Sequence, residues 1–186
     1  MKPDFKLSVL ISARKDSKYL AKFLAAALEK TYLKDTEFLI CINAADTWNK
    51  EIINMAQLAG LNITAVFAED WGLGRGGLHE YFNELYTKAT GDWIVYFCDD
   101  HYIAAPGWDA TVRNMVIREW NLDSAEPWIV VPKFDNTGAM NHVLSKGFCE
   151  ALGGKLGNHG WIDSYINELS QEIGIEGFIA DIRSNP

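Results

Sequence analysis

The hydrophobic positions of the chain change period repeatedly over the first 98 residues. Short, almost uninterrupted apolar runs are typical of buried strands, whereas apolar residues every three or four positions are typical of a helix packed on a sheet. The runs predict strands at residues 7–11, 37–42, 63–67 and 93–98, and the spaced patterns predict helices at 17–31, 47–60 and 78–89. Strands alternating with helices in this way indicate βαβ units and a mostly parallel sheet.

Beyond residue 100 the alternation is less regular. The pattern predicts a helix at 108–120, a strand at 128–132 and a segment at 137–145 that pairs with it or with a neighbour. A short helix at 147–152, a longer helix at 162–173 and an edge strand at 177–182 follow. We therefore expect a mixed sheet without a second independent core, in an α/β fold.

Composition and charge exclude some classes of protein. The 186 residues are 48% hydrophobic and 23% charged, which is an ordinary globular balance. The formal net charge is −8 and no Lys/Arg cluster stands out, so nucleic acid is not an expected partner. The sequence has no apolar run of roughly 20 residues and no signal-peptide pattern, so we expect no membrane span and a cytoplasmic protein.

The three cysteines, Cys41, Cys98 and Cys149, are odd in number and widely spaced. This argues against a disulfide framework or a zinc site. Cys41 and Cys98 lie inside apolar runs, so we interpret them as small buried hydrophobes in a reducing compartment.

Two adjacent acids and a histidine end the fourth predicted strand, as Asp99, Asp100 and His101. Ligands of open α/β sheets bind beyond the carboxyl ends of the strands. Neighbouring carboxylates repel one another unless a cation or hydrogen-bond donors compensate, and a divalent metal bridging diphosphate oxygens would do so. The alternative interpretation is an acidic turn exposed to water.

The order of several motifs resembles the GT-A-fold glycosyltransferases, in particular the large inverting family 2. Residues 91–101 match the family's Gly-acid-aromatic strand that ends in a D-x-D-like motif, and a Pro-Gly-Trp step follows at 106–108. Asn83 lies eight residues before the Gly of that strand, and a Leu-Gly-Gly turn at 152–154 matches the acceptor-side segment. The resemblance covers roughly residues 6–174. It implies one GT-A-like domain over 1–186, with a nucleotide-sugar-binding half at 1–101 and an acceptor-side half at 102–186.

The resemblance implies roles at the acidic motif. Asp100 holds a divalent metal, and Asp99 faces the ribose. His101 stands where the family has a third acid, and imidazole suits Mn²⁺ better than Mg²⁺, so Mn²⁺ is the expected metal.

Further candidates lie after the other predicted strands. Ala13 and Arg14 follow the first strand, and Asn43 stands where the family often has an Asp that contacts the base. Arg75 lies in a glycine-rich run, 72–77, where an arginine could offset diphosphate charge. The alternative for Arg75 is a flexible loop with a solvated side chain.

Asp163 is the candidate catalytic base, because the resemblance places the base in this segment and an inverting transfer needs a group that takes the acceptor proton. The alternative is that Asp163 only favours a helix N-terminus electrostatically, and His159 is the next candidate. Trp108 and Trp161, together with His159, are assigned to the sugar or acceptor side, because aromatic faces pack on sugars. Core packing is the alternative for each tryptophan.

The sequence thus predicts a metal-assisted glycosyltransferase that moves a sugar from a nucleotide-diphosphate donor, most often a UDP-sugar in the family, to an acceptor hydroxyl with inversion. The acceptor is a saccharide, lipid or protein that the sequence does not specify. The alternatives are a non-catalytic or degenerate sugar-nucleotide-binding protein and a nucleotidyltransferase. Nucleotidyltransferases usually carry a Gly-rich loop after the first strand, which residues 12–16 lack.

Overall fold

The structure is a computed structural model that describes residues 5–13, 17–68, 77–103, 105–132, 142–158, 162–173, 175–177 and 182–184. The first part alternates strands and helices as the hydrophobic pattern predicts. Its elements are β1 (Leu7–Ser12), α1 (Lys18–Lys30), β2 (Glu37–Asn43), α2 (Thr47–Leu58), β3 (Ile63–Ala68), α3 (Leu78–Lys88) and β4 (Trp93–Cys98).

The second part has shorter elements. They are β5 (His101–Ile103), α4 (Trp108–Arg113), which continues as a π-helical segment (Asn114–Glu119), β6 (Ile129–Pro132), β7 (Val143–Ser145), α5 (Lys146–Ala151), α6 (Ile162–Ile173), β8 (Ile175–Gly177) and β9 (Ile182–Ser184). The predicted helix at 108–120 is helical from Trp108 to Glu119. Its second half has the wider π register, as in the hydrogen bond from the N–H of Trp120 to the carbonyl of Met115.

Seven strands form one sheet in the order β3-β2-β1-β4-β7-β6-β8. Strand β7 runs antiparallel to both of its neighbours, and the other pairings in this described sheet are parallel. The predicted mixed, mostly parallel sheet is confirmed. The predicted segment before Ser145 pairs with β6 and also with β4, which joins the two parts of the chain in one sheet.

The prediction of an edge strand at 177–182 is wrong in its bounds. Strand β8 ends at Gly177 and pairs with β6 at the edge of the sheet, whereas β9 begins at Ile182 and pairs with β5 in a separate two-stranded sheet. Residues 178–181 lie outside the described residues. Strands of three residues are too short to show a period of two, so the sequence pattern does not separate them.

Apolar side chains cover both faces of the large sheet, because the central strands carry hydrophobic residues that point to either face. On one face Val9, Phe38 and Phe97 pack with residues of α1, α2 and α4. On the other face Leu10 and Tyr96 pack with residues of α3, α5 and α6.

Side chains cap the starts of α1 and α2. The Ser17 hydroxyl accepts a hydrogen bond from the N–H of Leu20, and the Asp46 carboxylate accepts one from the N–H of Asn49. Helix α1 follows β1 and helix α2 follows β2, so both N-termini lie at the edge of the sheet where β1 and β2 end. This edge carries the candidate site.

At the opposite end of the parallel strands, a buried carboxylate joins β2 to β1 and to the residues before β4. Glu37, the first residue of β2, accepts hydrogen bonds from Ser8 Oγ, from both the N–H and the hydroxyl of Thr90, and from the N–H of Gly91. A Cβ at Gly91 would lie 2.4 Å from Ser8 Oγ and 2.7 Å from a backbone nitrogen. Glycine at this position therefore permits the close approach of β1 to the start of β4.

Candidate active site

Three strand ends meet at the candidate site. Ser12, the last residue of β1, pairs with Cys41 of β2 on one side and with Cys98 of β4 on the other. The N–H of Ala13 extends this pairing by donating to the carbonyl of Cys41 at 3.0 Å. The segments that follow β1, β2 and β4 consequently emerge side by side, which is the position that a ligand occupies in an open α/β sheet.

Asp99 and Asp100 form the turn after β4, and their side chains differ in burial and in hydrogen bonding. The Asp99 side chain is only 2% exposed, and its Oδ2 accepts a hydrogen bond from the hydroxyl of Ser17. The same hydroxyl oxygen accepts from the N–H of Leu20, so Asp99 is joined to the first turn of α1 through Ser17. The positive end of the helix dipole stabilises a carboxylate placed there. The ribose contact inferred for Asp99 remains a prediction.

Asp100 lies on the surface beside His101. The Asp100 side chain is 50% exposed and that of His101 is 9% exposed, and Asp100 Oδ1 lies 3.8 Å from His101 Nδ1. The same nitrogen lies 2.8 Å from the backbone nitrogen of Cys98 and 3.0 Å from its carbonyl oxygen. The imidazole ring is therefore held against the last residue of β4.

Cys98 completes a group of potential metal ligands. Within the described part of the chain, ligand atoms of Cys98, Asp100 and His101 all lie within 4.8 Å of one another. Cys41 is buried as the sequence suggests, but Cys98 is only partly buried. The interpretation of Cys98 as a buried hydrophobe is thereby corrected. The donor set of carboxylate, imidazole and thiol fits a divalent transition metal.

Asn43 shapes the loop after β2. Its side-chain oxygen accepts from the N–H of Ala45 at 2.8 Å, and its carbonyl oxygen accepts from the N–H of Asp46 at 3.0 Å. The carboxamide thus forms an Asx turn that leads into the cap of α2. The turn does not use the side-chain NH₂ group, and the side-chain oxygen has a second lone pair, so the contact of Asn43 with a base remains a prediction.

Trp108 is part of the core. Its side chain is fully buried, its ring meets the Phe97 ring edge-on at 6.1 Å, and its indole nitrogen donates to Thr31 Oγ1. A buried indole offers no face to a sugar, so the assignment of Trp108 to the sugar side is corrected to core packing. His142 is also fully buried, with Nδ1 3.2 Å from the Tyr96 hydroxyl.

The Pro-Gly-Trp step positions this tryptophan. Gly107 has a φ of +71°, and a Cβ there would lie 2.9 Å from the Tyr32 ring. Its N–H donates to the carbonyl of Lys30 at 2.7 Å. Glycine thus allows the turn before α4 to pack closely on the end of α1.

Asn83 connects α3 to the segment that precedes α6. Its side-chain NH₂ donates to the carbonyl of Gly157 at 2.8 Å, and its Oδ1 accepts from the N–H of Leu156 at 2.9 Å and from that of Gly157 at 3.4 Å. A side-chain amide that bonds a backbone N–H and C=O at once fixes the loop in one orientation. This gives a structural reason for an Asn at this place in the sequence.

Replacing Asn83 with alanine is expected to release this loop. The free energy of unfolding should fall by about 1–3 kcal/mol, because buried backbone groups lose their partners. Hydrogen exchange of the Leu156 and Gly157 amides should accelerate. The control is Gln57→Ala, which removes one hydrogen bond, to the carbonyl of Ile63. This bond is remote in the sequence from residues 156 and 157. Equal exchange at 156 and 157 in both variants would contradict the role of Asn83.

The remaining candidates are described less fully or not at all. Arg14, Arg75, His159 and Trp161 lie outside the described residues. Asp163 is the second residue of α6 and is described only through its backbone. Its position in the first turn of a helix matches the sequence prediction, whereas its role as the base remains a prediction.

Comparisons with known proteins are informative only at the level of structure. No protein-family model and no curated protein sequence matches the chain. Among solved structures, the mannosyltransferase PcManGT from Pyrobaculum calidifontis, in complex with GDP-Man and Mn²⁺, matches with a TM-score of 0.69 and 15% identity over 98% of this chain and 57% of that one. The 1–349 fragment of S. aureus TarS matches with a TM-score of 0.67 and 14% identity over 95% of this chain and 59% of the fragment.

A cytidylyltransferase from Leptospira borgpetersenii also matches, with a TM-score of 0.60 and 13% identity over 98% of this chain and 82% of that one. The chain spans less than two thirds of the length of the mannosyltransferase and of the TarS fragment. These likenesses identify the fold as GT-A-like, the fold of nucleotide-diphospho-sugar transferases, and confirm the predicted fold class. In the part of the chain that the structure describes, no helix combines the length and hydrophobicity needed to cross a membrane.

Proposed function

We propose that this chain is a glycosyltransferase that moves a sugar from a nucleotide-diphosphate donor to an acceptor hydroxyl, with inversion and with the help of a divalent metal. UDP is the expected nucleotide, because it is the most frequent in the family that the sequence resembles. The observation that carries the proposal is the exposed Asp100 carboxylate at the end of β4, in a GT-A-like fold. The neighbouring acid, Asp99, is buried and bonded to Ser17, so the pair is not merely a solvated acidic turn.

The donor would lie over the ends of β1, β2 and β4. Ala13, Arg14 and Asn43 surround the nucleotide in this proposal, and Asp99 contacts the ribose from its position beside the first turn of α1. Asp100 and His101 hold the metal, which when bound neutralises charge on the leaving diphosphate. Arg75 adds a second positive charge for the diphosphate.

The acceptor would approach from the second half of the chain. Asp163 takes the proton of the acceptor hydroxyl, and His159 and Trp161 contribute to the acceptor side. The Asn83 contacts with Leu156 and Gly157 support the segment that leads to these residues.

Replacing Asp100 with alanine tests the carrying observation. The variant is expected to fold normally, because this side chain is half exposed and surface substitutions usually change stability by less than about 0.5 kcal/mol. It should lose metal-dependent binding of UDP, measured by isothermal titration with and without Mn²⁺. Because Asp100 acts on the nucleotide only through the metal in this proposal, the affinity for UDP without metal should change little.

The control is Asp35→Ala, which removes an exposed acid from the turn before β2, at the amino end of the strand. It keeps the same net charge as Asp100→Ala, so it isolates the effect of position from that of charge. Unchanged UDP affinity and unchanged metal dependence in Asp100→Ala would contradict the role of Asp100.

One observation favours a nucleotidyltransferase as a second candidate. The fold also resembles that of a cytidylyltransferase, which the chain matches with a TM-score of 0.60. The products separate the two reactions, because a nucleotidyltransferase given a nucleoside triphosphate and a sugar phosphate releases pyrophosphate. A glycosyltransferase instead releases a nucleoside diphosphate from a nucleotide sugar. A protein that binds nucleotide sugar but releases neither product would be the non-catalytic alternative.

A further inference from the structure

The end of β4 carries a thiol beside its carboxylate and imidazole. Cys98 is the residue directly before Asp99, and its Sγ, a carboxylate oxygen of Asp100 and a ring nitrogen of His101 lie within 4.8 Å of one another. An ion held by all three atoms would make bonds of about 2.0–2.3 Å, the lengths that zinc makes to nitrogen, oxygen and sulfur. All three residues belong to one short reversal of the backbone, so the loop brings them together without help from distant elements.

Hydrogen bonds orient the imidazole. His101 Nδ1 lies 3.0 Å from the carbonyl oxygen of Cys98. In the tautomer that donates Nδ1–H to this carbonyl, Nε2 carries the lone pair. Ligating histidines in proteins are usually held in this way, with one ring nitrogen donating to a backbone carbonyl or carboxylate. In the other tautomer Nδ1 accepts from the N–H of Cys98 at 2.8 Å.

Only one of the two acids in the turn belongs to this group of ligands. Asp99 is buried and bonded to Ser17, so the exposed carboxylate next to Cys98 and His101 is that of Asp100 alone. Mg²⁺ and Mn²⁺ are best served by oxygen ligands, whereas thiolate and imidazole favour zinc and similar borderline metals. One carboxylate, one imidazole and one thiol form a mixed set of the second kind.

We propose that Cys98, Asp100 and His101 form a three-residue site for a borderline transition metal, with Zn²⁺ as the natural occupant in place of the Mn²⁺ that the family resemblance implies, and with Cys98 as a thiolate ligand. This site lies where the proposed transferase would bind its donor. A catalytic role for the site therefore rests on the proposed function, whereas metal binding by itself does not. Three protein ligands leave a fourth position on a tetrahedral ion for an oxygen of a ligand.

Cobalt reports the thiolate directly. The full chain, freed of metal with a chelator and desalted, is titrated with Co²⁺ without nucleotide, and near-ultraviolet absorption is recorded. Wild type is expected to give a sulfur-to-cobalt charge-transfer band, which disappears in Cys98→Ala. Zn²⁺ binding measured by competition should weaken at least about tenfold in this variant, because even residues that only orient a ligand contribute about 10–100-fold. No band in wild type, or an unchanged band in Cys98→Ala, would overturn the proposal.

Cys41→Ala is the matched control. Cys41 lies in the same row of the sheet, where both it and Cys98 pair with Ser12. It is buried, and burial together with the charge of Glu84 raises the pKa of its thiol to about 12. The Cys41→Ala protein should keep the cobalt band and the Zn²⁺ affinity of wild type, and loss of the band in this control but not in Cys98→Ala would count against the site.

A second measurement uses only the wild-type protein. Alkylation of Cys98 by iodoacetamide, located by mass spectrometry, should slow at least about tenfold when Zn²⁺ is added, because a thiolate bound to metal is not available to the reagent. Unchanged alkylation would overturn the site. Neither measurement involves nucleotide, so a chain that shows the cobalt band but does not bind donor would contradict the proposed transferase and leave the metal site standing.

Discussion

Replacing Asp109 with alanine is expected to lower the free energy of unfolding by about 3–5 kcal/mol, because it removes a buried carboxylate that accepts hydrogen bonds from three donors. Asp109 lies in the first turn of α4 and is fully buried. Its carboxylate accepts from the N–H of Tyr32 at 3.0 Å, the N–H of Leu33 at 2.7 Å and the hydroxyl of Thr36 at 3.1 Å. One side chain thus accepts hydrogen bonds from three donors in the connection between α1 and β2.

The measurement is the midpoint of thermal unfolding together with denaturant titration. For a chain of this size, 3–5 kcal/mol corresponds to a midpoint lower by roughly 6–20 °C. Asp109→Asn should recover part of the loss, because its amide oxygen still accepts hydrogen bonds while its NH₂ group opposes the donors. Asp123→Ala is the control, since this exposed acid makes a local contact with the N–H of Ala125. A loss no larger than that of the control would show that the Asp109 contacts contribute little.

The sequence predicts the first half of the fold closely because its signals are strong there. Each of the first four strands is a largely apolar run, and the predicted and observed strands differ by at most one residue at an end. Ser17 and Asp46 begin the helices that follow, as their capping chemistry suggests. Burial on both faces of the sheet produces the runs of β1, β2 and β4, and burial is what a hydrophobic pattern reports.

The second half is predicted less well because its signals are local and short. Strands β5, β8 and β9 have three residues each. The first residue of β5 is His101, which the sequence interpretation assigns to the metal site. The π register of residues 114–119 depends on backbone hydrogen bonding, and the spacing of side chains does not distinguish it from an α-helix at this length.

At the site, the sequence identifies the acids but not their different surroundings. The pair Asp99 and Asp100 looks symmetric in the sequence, whereas only the fold shows that Asp99 turns to Ser17 of α1. Cys98 ends an apolar run and for that reason is assigned to the core. Asp109 gives no sequence signal, because the partners of its carboxylate include backbone N–H groups, which every residue type offers equally.

Replacing Asp163 with asparagine is expected to slow sugar transfer by at least about a hundredfold, because general-base assistance contributes about 10²–10⁴ in rate. Asparagine keeps the size of the side chain and its ability to favour a helix start, but it removes the proton acceptor. Asp163 lies at the second position of α6, in the half of the chain that follows the donor site. A residue that acts only on the acceptor should contribute little to donor affinity.

Two quantities are therefore measured on the same preparation, namely nucleotide binding with Mn²⁺ and the transfer rate with a suitable acceptor. Asp163→Asn should bind nucleotide like wild type while kcat falls. Glu168→Gln is the matched control, since it makes the same acid-to-amide change at an exposed position of the same helix, and it should transfer sugar at the wild-type rate.

The outcomes separate the enzyme from its alternatives. If Asp163→Asn transfers sugar as fast as wild type, Asp163 is not the base, and its acidic side chain serves the helix start; His159 is then the next residue to replace. If donor binding and rate fall together, the substitution has disturbed the donor site, which contradicts a role confined to the acceptor. If wild type binds donor but turns over with neither an acceptor nor water, the chain is a sugar-nucleotide-binding protein, and the change at Asp163 should then alter nothing measurable.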